Sequence, residues 1–455
     1  MAKTIAAIAT GNSAGGIGVI RISGDNAVEI ANKVFEPMNK NSSLLNLEGY
    51  RAKFGNIIYN NEKIDNAVAL VFRAPKSYTG EDVVELSVHG GIFIVEKTLE
   101  AVLNAGAIPA DAGEFTKRAF LNGKMDLTQA ESVADLISAE GEAAAKASFN
   151  ALQGSLSNKI SNVLTSLTDC SALMAAWVDY PDEEIPELKE DNLRETLVNA
   201  KDVLSDLIEN YENGQTMIQG VDTAIVGRPN AGKSTLMNLL VGREKSIVTK
   251  IAGTTRDIVE ESVRLGNIVL HLSDTAGIRE SDDVVESIGI QRAFEKMDSA
   301  SLVVAVFDSS KELNDDDIKL IEKCKGKKAV AVINKTDLDE VANTDLIKNA
   351  FKEVVYISAK HTDDTMPLEN AIKNVLGVIG FDASAPILAN RRQKNCCKNA
   401  LDNINEAIEA LDFGLTYDAI NVMADSAIDE LLSLVGKKAT VEVVNNIFSK
   451  FCVGK

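Results

Sequence analysis

The rhythm of apolar and polar positions changes three times along this chain. Up to about residue 118, short apolar and β-branched runs alternate with glycine-rich punctuation. Ile17–Ile22 and Val83–Val88 read as strands, and turn residues such as Ser77-Tyr78-Thr79-Gly80 separate such runs. The opening run through Ile5, Ala6, Ala7 and Ile8 leads directly into glycine-rich sequence, so it reads as a first strand and not a signal peptide. Between Asp126 and Gly214, alanine, leucine, serine and glutamate dominate. Leu127, Ala130, Ala134 and Ile137 recur at helical spacing. Tyr180-Pro181-Asp182-Glu183-Glu184-Ile185-Pro186 breaks this stretch into two helical parts.

From Thr223 the pattern switches again. Thr223–Val226, Ile268–Leu272, Leu302–Phe307, Ala329–Ile333 and Val354–Ile357 are short apolar runs with helix-compatible segments between them. That alternation predicts a parallel sheet covered on both faces. Helical texture returns after about Ala383 and runs to Lys455. The expected fold is multidomain α/β. It has an α+β domain at 1–118, a helical domain split into 119–216 and 383–455, and an inserted doubly wound, mostly parallel domain at 217–382.

Composition adds boundaries. The 455 residues suffice for about two to four domains. Hydrophobic residues at 45% and charged residues at 25% are ordinary for a soluble globular protein. No apolar run is long enough for a transmembrane helix, so no membrane partner is expected. Cys170, Cys324, Cys396, Cys397 and Cys452 are odd in number and form no Cys-x-x-Cys pair. Reduced thiols in a cytoplasmic protein fit them better than a disulfide framework or a zinc site. The net charge of −20 disfavours nonspecific nucleic-acid binding over the whole surface. A local basic patch escapes that argument. Arg391-Arg392-Gln393-Lys394 with Lys398 is one candidate; its plainer reading is a solvated helix start.

The chemistry concentrates in the inserted domain. Gly227-Arg228-Pro229-Asn230-Ala231-Gly232-Lys233-Ser234 fits G-x-x-x-x-G-K-S/T, followed by Thr235. It follows an expected strand and opens an expected helix, as a phosphate-binding loop requires. Backbone N–H groups cradle phosphate oxygens, Lys233 brings positive charge to the β- and γ-phosphates, and Ser234 offers a hydroxyl to Mg²⁺. Asp274-Thr275-Ala276-Gly277 follows the next strand; Asp274 suits water-mediated magnesium binding and Gly277 an N–H to the γ-phosphate. Asn334-Lys335-Thr336-Asp337 follows Ala329–Ile333, and Asp337 suits the N1–H and exocyclic amine of guanine. Adenine presents the wrong edge there, a mismatch worth roughly 10⁴-fold in discrimination. Ser358-Ala359-Lys360 closes over the base. These motifs in this order predict a GTP-binding P-loop GTPase.

Two positions in that set are unusual. Ile278 stands after the Asp-Thr-Ala-Gly motif, where many small GTPases carry a glutamine that orients the attacking water. Either hydrolysis is slow, or another polar group does this work; Glu280, Asp282, Asp283 and Glu286 are acidic candidates, or simply a solvated loop. The second is Gly253-Thr254-Thr255-Arg256-Asp257. Thr255 suits the magnesium shell. Backbone carbonyls of Thr249–Thr254 with the Asn230 side chain would suit a large monovalent cation, which neutralises phosphate charge as an arginine finger does.

Beyond these motifs, the chain resembles the tRNA-modifying GTPase family MnmE (TrmE) over essentially its whole length. The resemblance rests also on Gly18-Val19-Ile20-Arg21-Ile22-Ser23-Gly24, Ser77-Tyr78-Thr79-Gly80-Glu81-Asp82 and His89-Gly90-Gly91. It extends to Gly113-Glu114-Phe115-Thr116-Lys117-Arg118-Ala119-Phe120-Leu121-Asn122-Gly123-Lys124 and the terminal Phe451-Cys452-Val453-Gly454-Lys455. It implies an N-terminal folate-binding and dimerisation domain, a split helical domain and an inserted GTPase domain. It implies a homodimer that works with an FAD-dependent partner, MnmG (GidA). Together they add an aminomethyl or carboxymethylaminomethyl group to C5 of the wobble uridine, position 34, of certain tRNAs. The carbon comes from 5,10-methylenetetrahydrofolate.

The same resemblance implies potassium at Asn230, Thr249, Ile251 and Thr254, magnesium at Ser234 and Thr255, and pairing of GTPase domains that activates hydrolysis. Glu286 matches the family's water-orienting glutamate, and Arg21, Glu81, Lys124 and Lys455 match its folate contacts. Arginine and lysine suit the carboxylate tail of folate, and a carboxylate suits its pterin donors. Cys452 is a candidate functional thiol, or a packing residue. Two departures stand out: Val453 replaces the family's usual isoleucine, and Gly11-Asn12-Ser13-Ala14-Gly15-Gly16 lacks its usual proline and arginine. His89 reads equally as a structural or a catalytic residue. The competing reading is a ribosome-assembly GTPase, which would call for an RNA-binding module such as a KH domain; no such segment follows residue 382.

Overall fold

The structure is a computed structural model that describes residues 3–11, 13–39, 41–179, 189–243, 261–272, 297–362 and 364–455. It comprises two compact units. One is Met1–Ala134, Ile160–Asp179 and Tyr417–Lys455; the other is Asp135–Lys159 and Tyr180–Thr416.

The first unit is built on a seven-stranded sheet. Its strands are β1 (Ile5–Ile8), β2 (Ile17–Ser23), β3 (Phe35–Pro37), β4 (Arg51–Tyr59), β5 (Glu62–Phe72), β6 (Val83–His89) and β7 (Ile108–Pro109). They lie in the order β3-β4-β5-β6-β2-β1-β7, antiparallel except for the β1–β7 pair. Asn60 and Asn61 join β4 to β5 with φ of 51 and 64. Two left-handed residues are what a two-residue type I′ hairpin demands, and asparagine tolerates them better than most. Period-two alternation sends Ile20, Ile22, Val84, Leu86 and Val88 to one face. There α1 (Ala27–Val34) and α2 (Ile92–Asn104) bury them.

On the opposite side, Ile5, Ala7 and Ala110 pack with Phe115 of α3 (Glu114–Leu121). Residues from the far end of the chain complete this unit. In α6 (Ser155–Asp179) and α14 (Tyr417–Val435), Ser171 Oγ donates to Asp425 Oδ1 at 2.6 Å. After α15 (Val441–Phe448), the chain meets the residue that precedes α3: Gly113 N donates to Cys452 O at 3.3 Å. Gly113 has φ 67, and a Cβ on it would lie 2.7 Å from the Phe448 carbonyl oxygen. The approach therefore requires glycine twice over, for its conformation and for its missing side chain.

The second unit holds β8 (Val221–Val226), β9 (Glu261–Leu265), β10 (Ile268–Leu272), β11 (Leu302–Asp308), β12 (Ala329–Asn334) and β13 (Glu353–Tyr356). Their order is β13-β12-β11-β8-β10-β9, parallel except for the edge pair β9–β10. Every residue of β11 and β12 is buried, as expected of strands covered on both faces. Val304, Val306, Val330 and Val332 meet α9 (Lys233–Arg243) and α12 (Met366–Leu376) on one side. Val303, Phe307, Ala331 and Ile333 meet α10 (Asp315–Cys324) and α11 (Thr344–Ala350) on the other. The expected doubly wound arrangement is present.

Helices extend this unit. These include α5 (Glu142–Leu152), α7 (Glu190–Glu209), α8 (Tyr211–Gln219) and α13 (Arg391–Asp412). α7 buries Leu193, Leu197, Ala200, Leu204 and Leu207, and α13 buries Cys397, Ala400, Ile404 and Ala407. The two pack against each other antiparallel. An Arg194–Asp412 ion pair closes one end, and at the other Lys394 sits 4.5 Å over the Tyr211 ring. The basic stretch at 391–394 is thus the first turn of α13, capped by Asn390, whose side chain accepts from Gln393 N at 3.0 Å. Leu127, Ala130, Ala134 and Ile137 all fall in α4 (Leu127–Ser138), where Leu127 and Ala130 are buried and Ile137, near the end of the helix, is exposed. Among the described residues no helix is long and apolar enough to cross a membrane.

Leu204 is fully buried between α7 and its neighbours, whereas the Arg194–Asp412 pair is exposed. Leu204→Ala should destabilise the protein by about 2–5 kcal/mol. Arg194→Ala should leave the urea midpoint, followed by circular dichroism, unchanged. The reverse ranking would contradict this account of what holds the helices together.

Candidate functional site

The loop between β8 and α9 is shaped by its neighbours. A Cβ on Gly227 would lie 2.4 Å from the Val306 carbonyl oxygen, and one on Gly232 would lie 2.1 Å from Asn334 Nδ2. Both positions therefore exclude any side chain. Between them Ala231 N donates to Arg228 O at 3.3 Å, closing a turn in which Asn230 has φ 61. Proline second and a left-handed asparagine third is the type II turn pattern. Lys233 Nζ donates to the carbonyls of Gly227 at 2.8 Å and Arg228 at 2.9 Å. Burial holds its ammonium below the ordinary lysine pKa. Ser234 and Thr235 are exposed in the first turn of α9, where unpaired N–H groups and the helix dipole favour an anion.

Asn334, at the end of β12, ties this loop to two others. Its Nδ2 donates to Ala231 O at 3.0 Å. Its Oδ1 accepts from Lys335 N at 2.8 Å and from Ala359 N at 3.0 Å. One buried amide thus joins the phosphate loop to the Asn-Lys-Thr-Asp and Ser-Ala-Lys segments. Asp337 projects at the surface beside them and accepts from Ser358 Oγ at 2.5 Å. That hydroxyl holds its carboxyl below the usual range, so it stays charged. Lys335, at φ 66, places Nζ 2.7 Å from Asp308 Oδ2. Asp308 is buried, which by itself would raise its pKa; hydrogen bonds from Lys335 and Ser310 more than offset that and lower it. Lys360 is exposed and Ala359 buried.

Sequence reasoning passed over Asp308 and Arg228. Asp308 directly follows the apolar run of β11, a position worth noticing. Arg228 lies inside the loop motif at a position the motif leaves open. Of the expected site residues, Thr249, Ile251, Thr254, Thr255, Asp274, Thr275, Ala276, Gly277 and Glu286 lie outside the described residues, as do Ile278 and Asn12.

A second candidate site lies in the other unit, against β2 and β6. A cleft of about 250 Å³ is lined by Arg21, Phe72, Tyr78, Val83, Glu85 and Lys455. Arg21 donates to Glu85 Oε1 at 2.9 Å and sits 5.6 Å from the Tyr78 ring centre. Burial and the nearby Arg21 charge hold Lys455 below the ordinary lysine pKa. Gly454, at φ 98, brings the tail this close: a Cβ there would lie 2.3 Å from the Ile8 carbonyl oxygen. Glu81 and Lys124 do not line this cleft. Glu81 accepts from Ser23 Oγ at 2.7 Å and pairs with Arg118 at 3.1 Å. Lys124 Nζ donates to Pro75 O at 3.0 Å. Glu85 and Tyr78 join the cleft unforeseen as site residues, because cross-strand register and a folded-back loop bring them there.

Cys452 is exposed, while Cys324 and Cys397 are buried, which pushes their thiols up to about 11 and about 12. His89 pairs with Asp65 across 2.7 Å at the end of β6, a link between adjacent strands.

A parallel doubly wound sheet with this loop and this base-side clamp defines a P-loop GTPase. Two family models match the chain. One describes the GTP-binding protein TrmE N-terminus over residues 4–124, and the other the MnmE helical domain over residues 127–452. The tRNA modification GTPase MnmE of Lachnoclostridium phytofermentans is 41% identical over 99% of both chains, and that of Clostridioides difficile 39% over 99% of both. The solved structure of a tyrosine-to-alanine variant of Aquifex aeolicus Era, bound to GDP and AlF4⁻, is 27% identical over 40% of this chain and 66% of its own, with a TM-score of 0.26. The chain belongs to the tRNA modification GTPase MnmE family.

Asn334→Ala would orphan Ala231 O, Lys335 N and Ala359 N at once. At about 1–3 kcal/mol for each buried unpaired group, GDP affinity should fall by at least about tenfold in titrations of a fluorescent GDP, with the circular dichroism spectrum retained. Unchanged affinity would show that the three loops are held some other way.

Proposed function

We propose that this GTPase is potassium-dependent and acts with an FAD-dependent partner protein, MnmG (GidA). The pair installs an aminomethyl or carboxymethylaminomethyl group at C5 of the wobble uridine of certain tRNAs, with methylenetetrahydrofolate as carbon source. The observation that carries the nucleotide part is the Asn334 clamp. It gathers the phosphate loop, the guanine-reading Asp337 segment and the Ala359 segment around one buried amide. The charged Asp337 carboxylate suits two guanine donors. Membership of the family supports the tRNA part.

The residues suit the groups this reading requires. Exposed oxygen donors at Ser234 and Asn230 flank the start of α9, which fits hard cations beside a phosphate chain. Ser234 with Thr255 would hold magnesium; Asn230 with Thr249, Ile251 and Thr254 would hold potassium. Bound cations supply positive charge against the phosphate oxygens. Lys233 adds its own charge there, and Glu286 orients the attacking water. The Arg21 cleft pairs aromatic walls at Phe72 and Tyr78 with two cations and a carboxylate, which fits a pterin ring and a carboxylate tail. Residues 1–118 would bind folate and form a homodimer, 119–216 and 383–455 would carry the helical domain, and 217–382 would hydrolyse GTP. The ribosome-assembly reading draws on features of residues 217–382 alone and leaves the 4–124 match without a role.

The test is turnover of wild type and Glu286→Ala in matched KCl and NaCl. Wild type should be faster in KCl. Glu286→Ala should lose about 10²–10⁴-fold in turnover while still binding GTP. Turnover in Glu286→Ala equal to wild type would remove Glu286 from the mechanism.

A further inference from the structure

Arg228, inside the phosphate loop, does not face solvent. Its side chain is 10% exposed and that of Asp317 is 1% exposed. Arg228 Nη1 donates to Glu312 O at 3.0 Å and lies 3.1 Å from Asp317 Oδ2. Asp317 in turn belongs to the capping box of α10. Its Oδ2 accepts from Asn314 N at 3.2 Å, and Asn314 Oδ1 accepts from Asp317 N at 3.0 Å. Burial outweighs these bonds and pushes the Asp317 carboxyl above the ordinary range. Among the described residues, Arg228 Nη2 and Asp317 Oδ1 are both buried without a hydrogen-bond partner. A pair this incompletely satisfied is a poor source of stability, so its value lies in what it holds in place.

What it holds is the turn that begins at Arg228. The Arg228 carbonyl accepts from Ala231 N and from Lys233 Nζ, and Asn230 sits inside that turn at φ 61. Fixing the guanidinium against the first turn of α10 fixes the backbone at Arg228, and with it the direction in which Asn230 presents its side chain. We propose that the buried Arg228–Asp317 pair is a positioning device for Asn230, and that it sets the affinity of the protein for its activating monovalent cation. This inference rests on the potassium reading given above.

The test uses full-length Asp317→Asn, which leaves the phosphate loop sequence intact and can still cap α10. Two midpoints are measured in KCl at constant ionic strength, with NaCl as the balance. One is the KCl concentration for half-maximal GTP hydrolysis. The other is that for the rise in melting temperature of the protein bound to a non-hydrolysable GTP analogue. Both midpoints should rise by about tenfold, while GDP affinity in NaCl changes by less than about threefold. Arg228→Met with Asp317→Leu, an apolar replacement that preserves packing, should show the same rise and covers the case in which Asp317→Asn misfolds. Midpoints equal to wild type overturn the proposal, and so does a rise matched by an equal loss of GDP affinity, which marks general loosening of the loop. A wild type indifferent to KCl against NaCl in both readouts would overturn the potassium reading itself, and this inference with it.

Discussion

The nucleotide site depends on one side chain at the end of one strand. Asn334 uses its amide nitrogen once and its amide oxygen twice, and it is almost completely buried. Its amide carries the donor and the two-fold acceptor on separate atoms of one short side chain, so it can face the phosphate loop with one and the other two segments with the other. Its precision comes from β12, which is buried on both faces and bonded to β11 and β13. A sheet covered on both sides cannot shift without disturbing two cores. The loops at its edge inherit that rigidity, and the glycines at 227 and 232 let them approach closely.

The cleft at Arg21 is built by a different logic. No single loop defines it. β2 supplies Arg21, the adjacent β6 supplies Val83 and Glu85, and the end of the chain supplies Lys455. The tail reaches it because Gly113 and Gly454 remove two side chains from its path. Opposite charges then settle at close range, with Arg21 held by Glu85 and flanked by the Tyr78 and Phe115 rings.

Elements whose information is local were legible in the sequence. The buried strands β11 and β12 are unbroken apolar runs, and the phosphate loop is contiguous. β4 and β5 escaped notice because one face of each is exposed: Phe54 and Val68 point outward, and polar residues dilute the pattern. β9 escaped as a short edge strand with Arg264 in it. Arg228 with Asp317, Lys335 with Asp308, and Arg21 with Glu85 join residues far apart in sequence, so spacing alone carries no trace of them. The resemblance supplied Arg21 and Lys455 of the cleft; Glu81 and Lys124, its two other folate residues, lie outside the cleft lining, with hydrogen bonds to Arg118, Ser23 and the Pro75 carbonyl.

The most direct measurement is mass spectrometry of tRNA nucleosides from cells with and without this protein. The account predicts that C5-aminomethyl-type uridines disappear on deletion, return with the intact gene, and stay absent with a gene encoding Glu286→Ala. A nucleoside profile unchanged by deletion would contradict the tRNA-modifying role and leave only a GTP-hydrolysing domain to be explained.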